Sequence, residues 1–118
     1  MGLLVALLAI EACSGGAPAS AGCPANAGAT CPSSPPSWKA DVQPIVESRC
    51  GPCHLAGGVE TKVPHPLDYS TYDGVHANYS TMDLVVSNCL MPPGDAGALT
   101  AEQSQTLLEW FACGAPDN

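Results

Sequence analysis

Hydrophobic residues fall into two regimes along this chain. From Met1 to Ala12 they are almost continuous (Gly2-Leu3-Leu4-Val5-Ala6-Leu7-Leu8-Ala9-Ile10), and then they thin out until Trp38. Beyond Trp38 they return at helical intervals. Val42, Ile45 and Val46 recur at i, i+3, i+4, which lines one face of a helix. Met82, Val85, Val86 and Cys89 predict a second apolar face, and Leu107, Trp110 and Phe111 a third. Start and stop signals frame these segments. Asp41 is placed to cap the first helix, with Pro44 in its first turn, where a missing N–H costs nothing, and the helix is expected to reach about Cys50. Ser70-Thr71-Tyr72-Asp73 and Ser80-Thr81-Met82-Asp83 each read as a capped start with an acid near the helix dipole. Pro92-Pro93-Gly94 ends the latter run. Thr100-Ala101-Glu102-Gln103 is a capping box, and Gly114 and Pro116 close the last helix. Residues 55–67, with Gly57-Gly58, Pro64 and Pro66, read as a loop. Nothing alternates with strand periodicity, so the expected class is all-α.

The two ends of the low-hydrophobicity region divide the chain into three. The apolar run over 1–12 is too short to span a membrane but matches the core of a signal peptide. Ile10-Glu11-Ala12-Cys13 resembles a lipobox, with a small residue before a cysteine that takes lipid, so cleavage is expected before Cys13. Residues 13–37 are dominated by Ala, Gly, Pro and Ser, a composition that buries too little apolar surface to offset chain entropy. They read as a flexible tether reaching on the order of 25–30 Å. The folded domain is then 38–118. A domain that small is marginal unaided, and with one Phe, two Trp and three Tyr it has little aromatic mass of its own.

The candidate chemistry lies at the end of the first expected helix. Cys50-Gly51-Pro52-Cys53-His54 is a C-x-x-C-H arrangement, the spacing used to attach c-type haem. Residues i and i+3 project from one face, so both sulfurs can reach the vinyl groups along one porphyrin edge, and the adjacent His54 offers a ring nitrogen to iron. Cys-Gly-Pro-Cys is also a dithiol redox motif. In that setting it follows a buried strand and opens a helix, whereas here the lead-in has helical spacing. For a second axial ligand, Met91 in Leu90-Met91-Pro92-Pro93 is the candidate, because the following prolines stiffen the segment and a thioether raises the reduction potential relative to a second histidine. Met82, His65 and His76 are the alternatives.

Seven cysteines fit an exported chain once roles are given. Cys13 takes lipid, and Cys50 and Cys53 take haem. The other four allow three connectivities, of which Cys23–Cys31 and Cys89–Cys113 are expected, the second closing on the segment before Met91. A net charge of −8 argues against nucleic acid or an anionic membrane surface as partner and favours proteins with basic docking surfaces.

On these residues the chain resembles class I c-type cytochromes, in particular small exported bacterial mono-haem domains. The resemblance is carried by Asp41-Val42-Gln43-Pro44-Ile45 leading into Cys50-Gly51-Pro52-Cys53-His54, by Met91-Pro92-Pro93, and by Leu108-Glu109-Trp110-Phe111-Ala112-Cys113-Gly114-Ala115-Pro116. It implies a small cytochrome c-like helical fold around one covalent haem c, held by Cys50, Cys53, His54 and Met91, with His54 and Met91 on the iron. It implies that the first and last helices pack crosswise, and that a proline carbonyl, from Pro64 or Pro66, holds the other nitrogen of His54. Tyr69, Tyr72 and Tyr79 are expected in the core. The implied function is single-electron transfer between redox proteins, not enzymatic turnover, by a periplasmic monomer tethered to a membrane through lipid on Cys13. The alternatives are an exported thiol–disulfide oxidoreductase acting through Cys50 and Cys53, or a haem sensor or peroxidase with an open sixth site.

Overall fold

The computed structural model describes residues 28–55, 69–93 and 99–118, and the expected signal peptide and Cys13 lie outside them. Among the described residues all regular structure is helical, as the periodicity predicts. None of these helices is long and apolar enough to cross a membrane.

The first element, α1, is a continuous helical run over 38–54, made of wide turns at Trp38–Val42 and Val46–Cys50 alternating with α-helical turns at Gln43–Ile45 and Gly51–His54. It starts earlier than expected. Ser37, not Asp41, is the cap: its hydroxyl accepts from the Ala40 N–H at 3.4 Å, while the Asp41 carboxylate reaches back to accept from the Ser37 N–H at 2.7 Å. Pro44 therefore lies inside the helix, where its ring crowds the carbonyl four residues back and supplies no N–H. The helix widens on either side of it. The Gln43 N–H reaches Trp38 O and the Gly51 N–H reaches Val46 O, both spanning five residues. Trp38, Val42, Ile45 and Val46 form the buried face.

Helix α2, Tyr72–His76, begins where expected: the Thr71 hydroxyl accepts from the Gly74 N–H at 3.1 Å. Helix α3, Tyr79–Ser87, begins earlier than the Ser80-Thr81 signal suggested. Asn78 precedes it and donates through its side chain to the Gly74 carbonyl at 2.8 Å, so α2 and α3 share one hinge. Helix α4, Ala101–Ala112, carries the expected capping box, with Gln103 N–H to Thr100 Oγ1 at 3.1 Å and Thr100 N–H to Gln103 Oε1 at 3.0 Å.

Helix α4 is the hub, packing against α3 on one side and against the start of α1 on the other. Trp110 is fully buried at their junction, stacked on Trp38 at 5.6 Å, with Tyr72 edge-on to both. The polar ends of these aromatics are satisfied by the chain's last turn: Trp110 Nε1–H donates to Pro116 O at 3.0 Å and Tyr72 O–H to Ala115 O at 2.8 Å. Removing such a buried tryptophan costs about 3–5 kcal/mol. Tyr69 is buried and Tyr72 and Tyr79 pack against the core, as expected.

The disulfide pairing is a correction. Cys113 is bonded to Cys31, not to Cys89, with 4.7 Å between the Cα atoms and a sequence separation of 82. Cys89 is in a disulfide as well, so neither expected pair, Cys89–Cys113 or Cys23–Cys31, is formed. The reason is the path of the chain ahead of α1: it runs back along the end of α4, where Ala29 packs against the core and Cys31 meets the C-cap residue Cys113. The last part of the expected tether is thus fastened to the helical body covalently, which composition does not reveal.

Candidate functional site

The end of α1, α3 with the segment after it, and α4 enclose an apolar cleft. Its cavity volume is about 160 Å³. Its wall contains Arg49, Cys50, Cys53 and His54 from α1, then Tyr69. Thr81, Met82, Val85 and Val86 come from α3, Met91, Pro92 and Pro93 from the segment that follows, and Leu99 and Leu107 from around α4. The four residues singled out from the sequence, Cys50, Cys53, His54 and Met91, therefore line one cavity although they come from two parts of the chain. His76 is not in the wall, and His65, Pro64 and Pro66 lie outside the described residues. Met82 is in the wall too, buried at 4% exposure on α3, whereas Met91 is 42% exposed at the rim.

Cys50 and Cys53 are both free thiols. Burial, with the neighbouring Cys53 adding to it, pushes the Cys50 thiol up to about 11. The helix explains why nothing opposes this. The pair sits in the last turns of α1, far from the positive end of the dipole that lowers thiol pKa values at helix starts.

His54 is buried, and its Nδ1 has no hydrogen-bond partner among the described residues. Leaving such a nitrogen unpaired costs about 1–3 kcal/mol, so a buried orphan of this kind asks for a partner. Two contacts with Tyr69 hold the residue: the rings lie 4.9 Å apart, and the Tyr69 N–H donates to the His54 carbonyl at 2.9 Å. Burial pushes the Tyr69 hydroxyl up to about 12, so it stays neutral. Arg49 adds a cation to the largely apolar wall, and its Nε is buried without a partner among the described residues. Neither Arg49 nor Tyr69 announces this role in sequence. Adjacency to Cys50 is the only signal for Arg49, and Tyr69 reaches His54 only through the return of the chain after residue 68.

Comparison with protein-family models, curated proteins and solved structures finds no match. The site therefore has to be read from its own chemistry. Among the described residues no cluster of three or more His, Cys, Asp or Glu side chains could hold a bare metal ion. The donor set is instead two reduced thiols three residues apart, one imidazole with an unpaired nitrogen, and a thioether across an apolar cleft. Those residues fit a covalently attached haem, which needs one histidine and one further ligand from the protein, an apolar slot, and nothing else to hold the iron.

Proposed function

We propose that this chain is an exported mono-haem c-type cytochrome that carries single electrons between redox proteins. The observation that carries the reading is the meeting of Cys50, Cys53 and His54 with Met91 on the wall of one apolar cleft, from segments nearly 40 residues apart. Cys50 and Cys53 would hold the haem through thioether bonds to its two vinyl groups, S and H adding across each double bond with no oxidant and no leaving group. Once bound, the haem supplies an iron that exchanges one electron. His54, kept in place by the Tyr69 ring and backbone contacts, would give one ligand to the iron. Met91, from a segment stiffened by Pro92 and Pro93, would give the other. Valines 85 and 86 with Leu99 and Leu107 would exclude water, so little would reorganise on transfer, and the Arg49 guanidinium in the cleft wall would favour the reduced state. The acidic surface suits partners with basic docking faces, and lipid on Cys13 would tether the protein to a membrane.

The thiol–disulfide alternative asks for a nucleophile with a depressed pKa at the start of a helix after a strand. Cys50 is pushed the other way, at the end of a helix that follows no strand among the described residues. The test of the proposal is expression with the haem-attachment machinery, followed by haem staining after denaturing electrophoresis. Colour should stay with the chain, vanish in a Cys50→Ala, Cys53→Ala variant, and resist acid–acetone extraction. Extractable colour, or a colourless chain that reduces disulfides efficiently, would overturn it.

A further inference from the structure

Every fourth residue of α1 faces inward. Trp38, Val42 and Val46 are buried in the core, Cys50 lies in the cleft wall, and His54 is buried beside it. The adjacent row repeats the pattern, with Ile45 in the core and Arg49 and Cys53 in the wall. On the opposite side Ala40, Pro44, Ser48 and Pro52 are all exposed. A regular α-helix cannot keep such rows straight. At 3.6 residues per turn each step of four overshoots by about 40°, so between Trp38 and His54 the row would wind through about 160°. His54 would then face away from the core. The two wide turns of α1 remove this drift. In each an N–H reaches back five residues, Gln43 to Trp38 and Gly51 to Val46, which absorbs one extra residue, or about 100° of rotation. Both wide turns stand immediately ahead of a proline: Trp38–Val42 before Pro44, and Val46–Cys50 before Pro52. A proline ring crowds the carbonyl four residues back and brings no N–H to bond it, and a wider turn relieves both.

We infer that Pro52 is a positioning residue for the site: by holding the turn Val46–Cys50 wide, it keeps Cys53 and His54 in line with the buried row of α1 and therefore on the cleft. Pro44 acts in the same way one stage earlier, between Trp38 and the middle of the helix. What Cys53 and His54 do for haem rests on the proposed function, while the register of α1 does not. With a regular turn in its place, Cys53 and His54 would move about 100° around the helix axis. That takes His54 away from Tyr69, whose ring lies 4.9 Å from its own. The effect runs against helix propensity. Proline is the least favourable residue inside a helix, so alanine at this position should leave helix content equal or higher while spoiling the site. The misplacement is also correctable. Glu47 is exposed and lies within the wide turn, so a chain lacking it has lost the one residue that the turn absorbs. In a regular helix without Glu47, Val46, Cys50 and His54 again share a face, at i, i+3 and i+7.

The test compares four full-length chains: wild type, Pro52→Ala, a chain lacking Glu47, and a chain with both changes. Without haem, the nuclear Overhauser contact between the His54 and Tyr69 rings reports the register, and far-ultraviolet circular dichroism reports helix content. The contact should be lost in each single change and return when the two are combined, with helix content in Pro52→Ala no lower than in wild type. After expression with the haem-attachment machinery, peptide mapping gives the share of chain carrying haem through both sulfurs, and a redox titration gives the midpoint potential. Each single change should reduce the doubly attached share and shift the potential, and the combination should restore both. A Pro52→Ala chain that keeps the ring contact and full attachment would overturn the inference. So would a combined chain no closer to wild type than either single change. Wild type that takes up no haem would overturn the proposed function, and the ring contact would still decide the role of Pro52.

Discussion

The Cys31–Cys113 bond should carry a large share of the stability of this small domain. It joins positions 82 residues apart. In the chain-entropy account, closing a loop of that length removes unfolded-state freedom equivalent to about 4.5 kcal/mol. The second disulfide, at Cys89, already restricts part of the unfolded chain, so about 3–4.5 kcal/mol is the expected effect of removing the first. The native side adds to it, because Ala29, two residues before Cys31, packs against the core. For a domain of this size each kcal/mol moves Tm by roughly 4–8 °C, so Cys31→Ser with Cys113→Ser should lower Tm by about 12–36 °C. Changing both residues avoids a stray thiol. Thermal unfolding followed by far-ultraviolet circular dichroism, with urea titration to confirm ΔG, measures it. A fall of less than about 5 °C would show that the strap ahead of α1 is tied down by something other than this bond.

The two methionines in the cleft should separate cleanly. Met91→Ala should lose the sulfur-to-iron charge-transfer band, lower the midpoint potential and tighten binding of an exogenous ligand about tenfold or more, equivalent to roughly 1.4 kcal/mol, whereas Met82→Leu should change none of these; the reverse pattern assigns the axial role to Met82. In chain that has not received haem, alkylation of Cys50 by iodoacetamide should follow a midpoint of about 11. Because that folded value lies above the ordinary thiol value of 9.0, Cys50 contributes stability that is complete below about pH 9 and lost as pH rises through about 11. A midpoint below 8 would instead favour thiol–disulfide chemistry. Thr100→Ala removes one half of the α4 capping box and should cost about 1 kcal/mol in urea unfolding, and no change would mean that packing against α1 and α3 alone fixes where α4 begins.

Signals that act within one or two turns were legible in the sequence, and signals that depend on the path of the chain were not. The capping box at Thr100 and Gln103, the cap at Thr71, the buried face of Leu107, Trp110 and Phe111, and the stop at Gly114 all appear as expected. The start of α1 was misplaced because Asp41 and Ser37 satisfy each other, and only the widened turns around Pro44 let a helix run through it. The start of α3 was misplaced because Asn78 spends its side chain on the carbonyl of Gly74 rather than on a cap of its own. The disulfide pairing failed for a different reason. Nearness in sequence made Cys23–Cys31 and Cys89–Cys113 attractive, but pairing follows where the strap ahead of α1 lies, and that is set by the far end of α4. At the site, the C-x-x-C-H spacing selected Cys50, Cys53 and His54, and the prolines that follow it together with its thioether selected Met91. Tyr69 and Arg49 join them only through folding.

Covalent attachment is the claim on which the rest depends, and a pyridine haemochrome spectrum of the purified protein, recorded beside its intact mass, tests it most directly. The band should lie at the position of a haem with both vinyl groups converted to thioethers, and the mass should equal that of the mature chain, with its disulfides and the lipid on Cys13, plus one haem. A band at the position of free protohaem, or a mass without haem in material matured alongside a c-type cytochrome that is itself loaded, would contradict it.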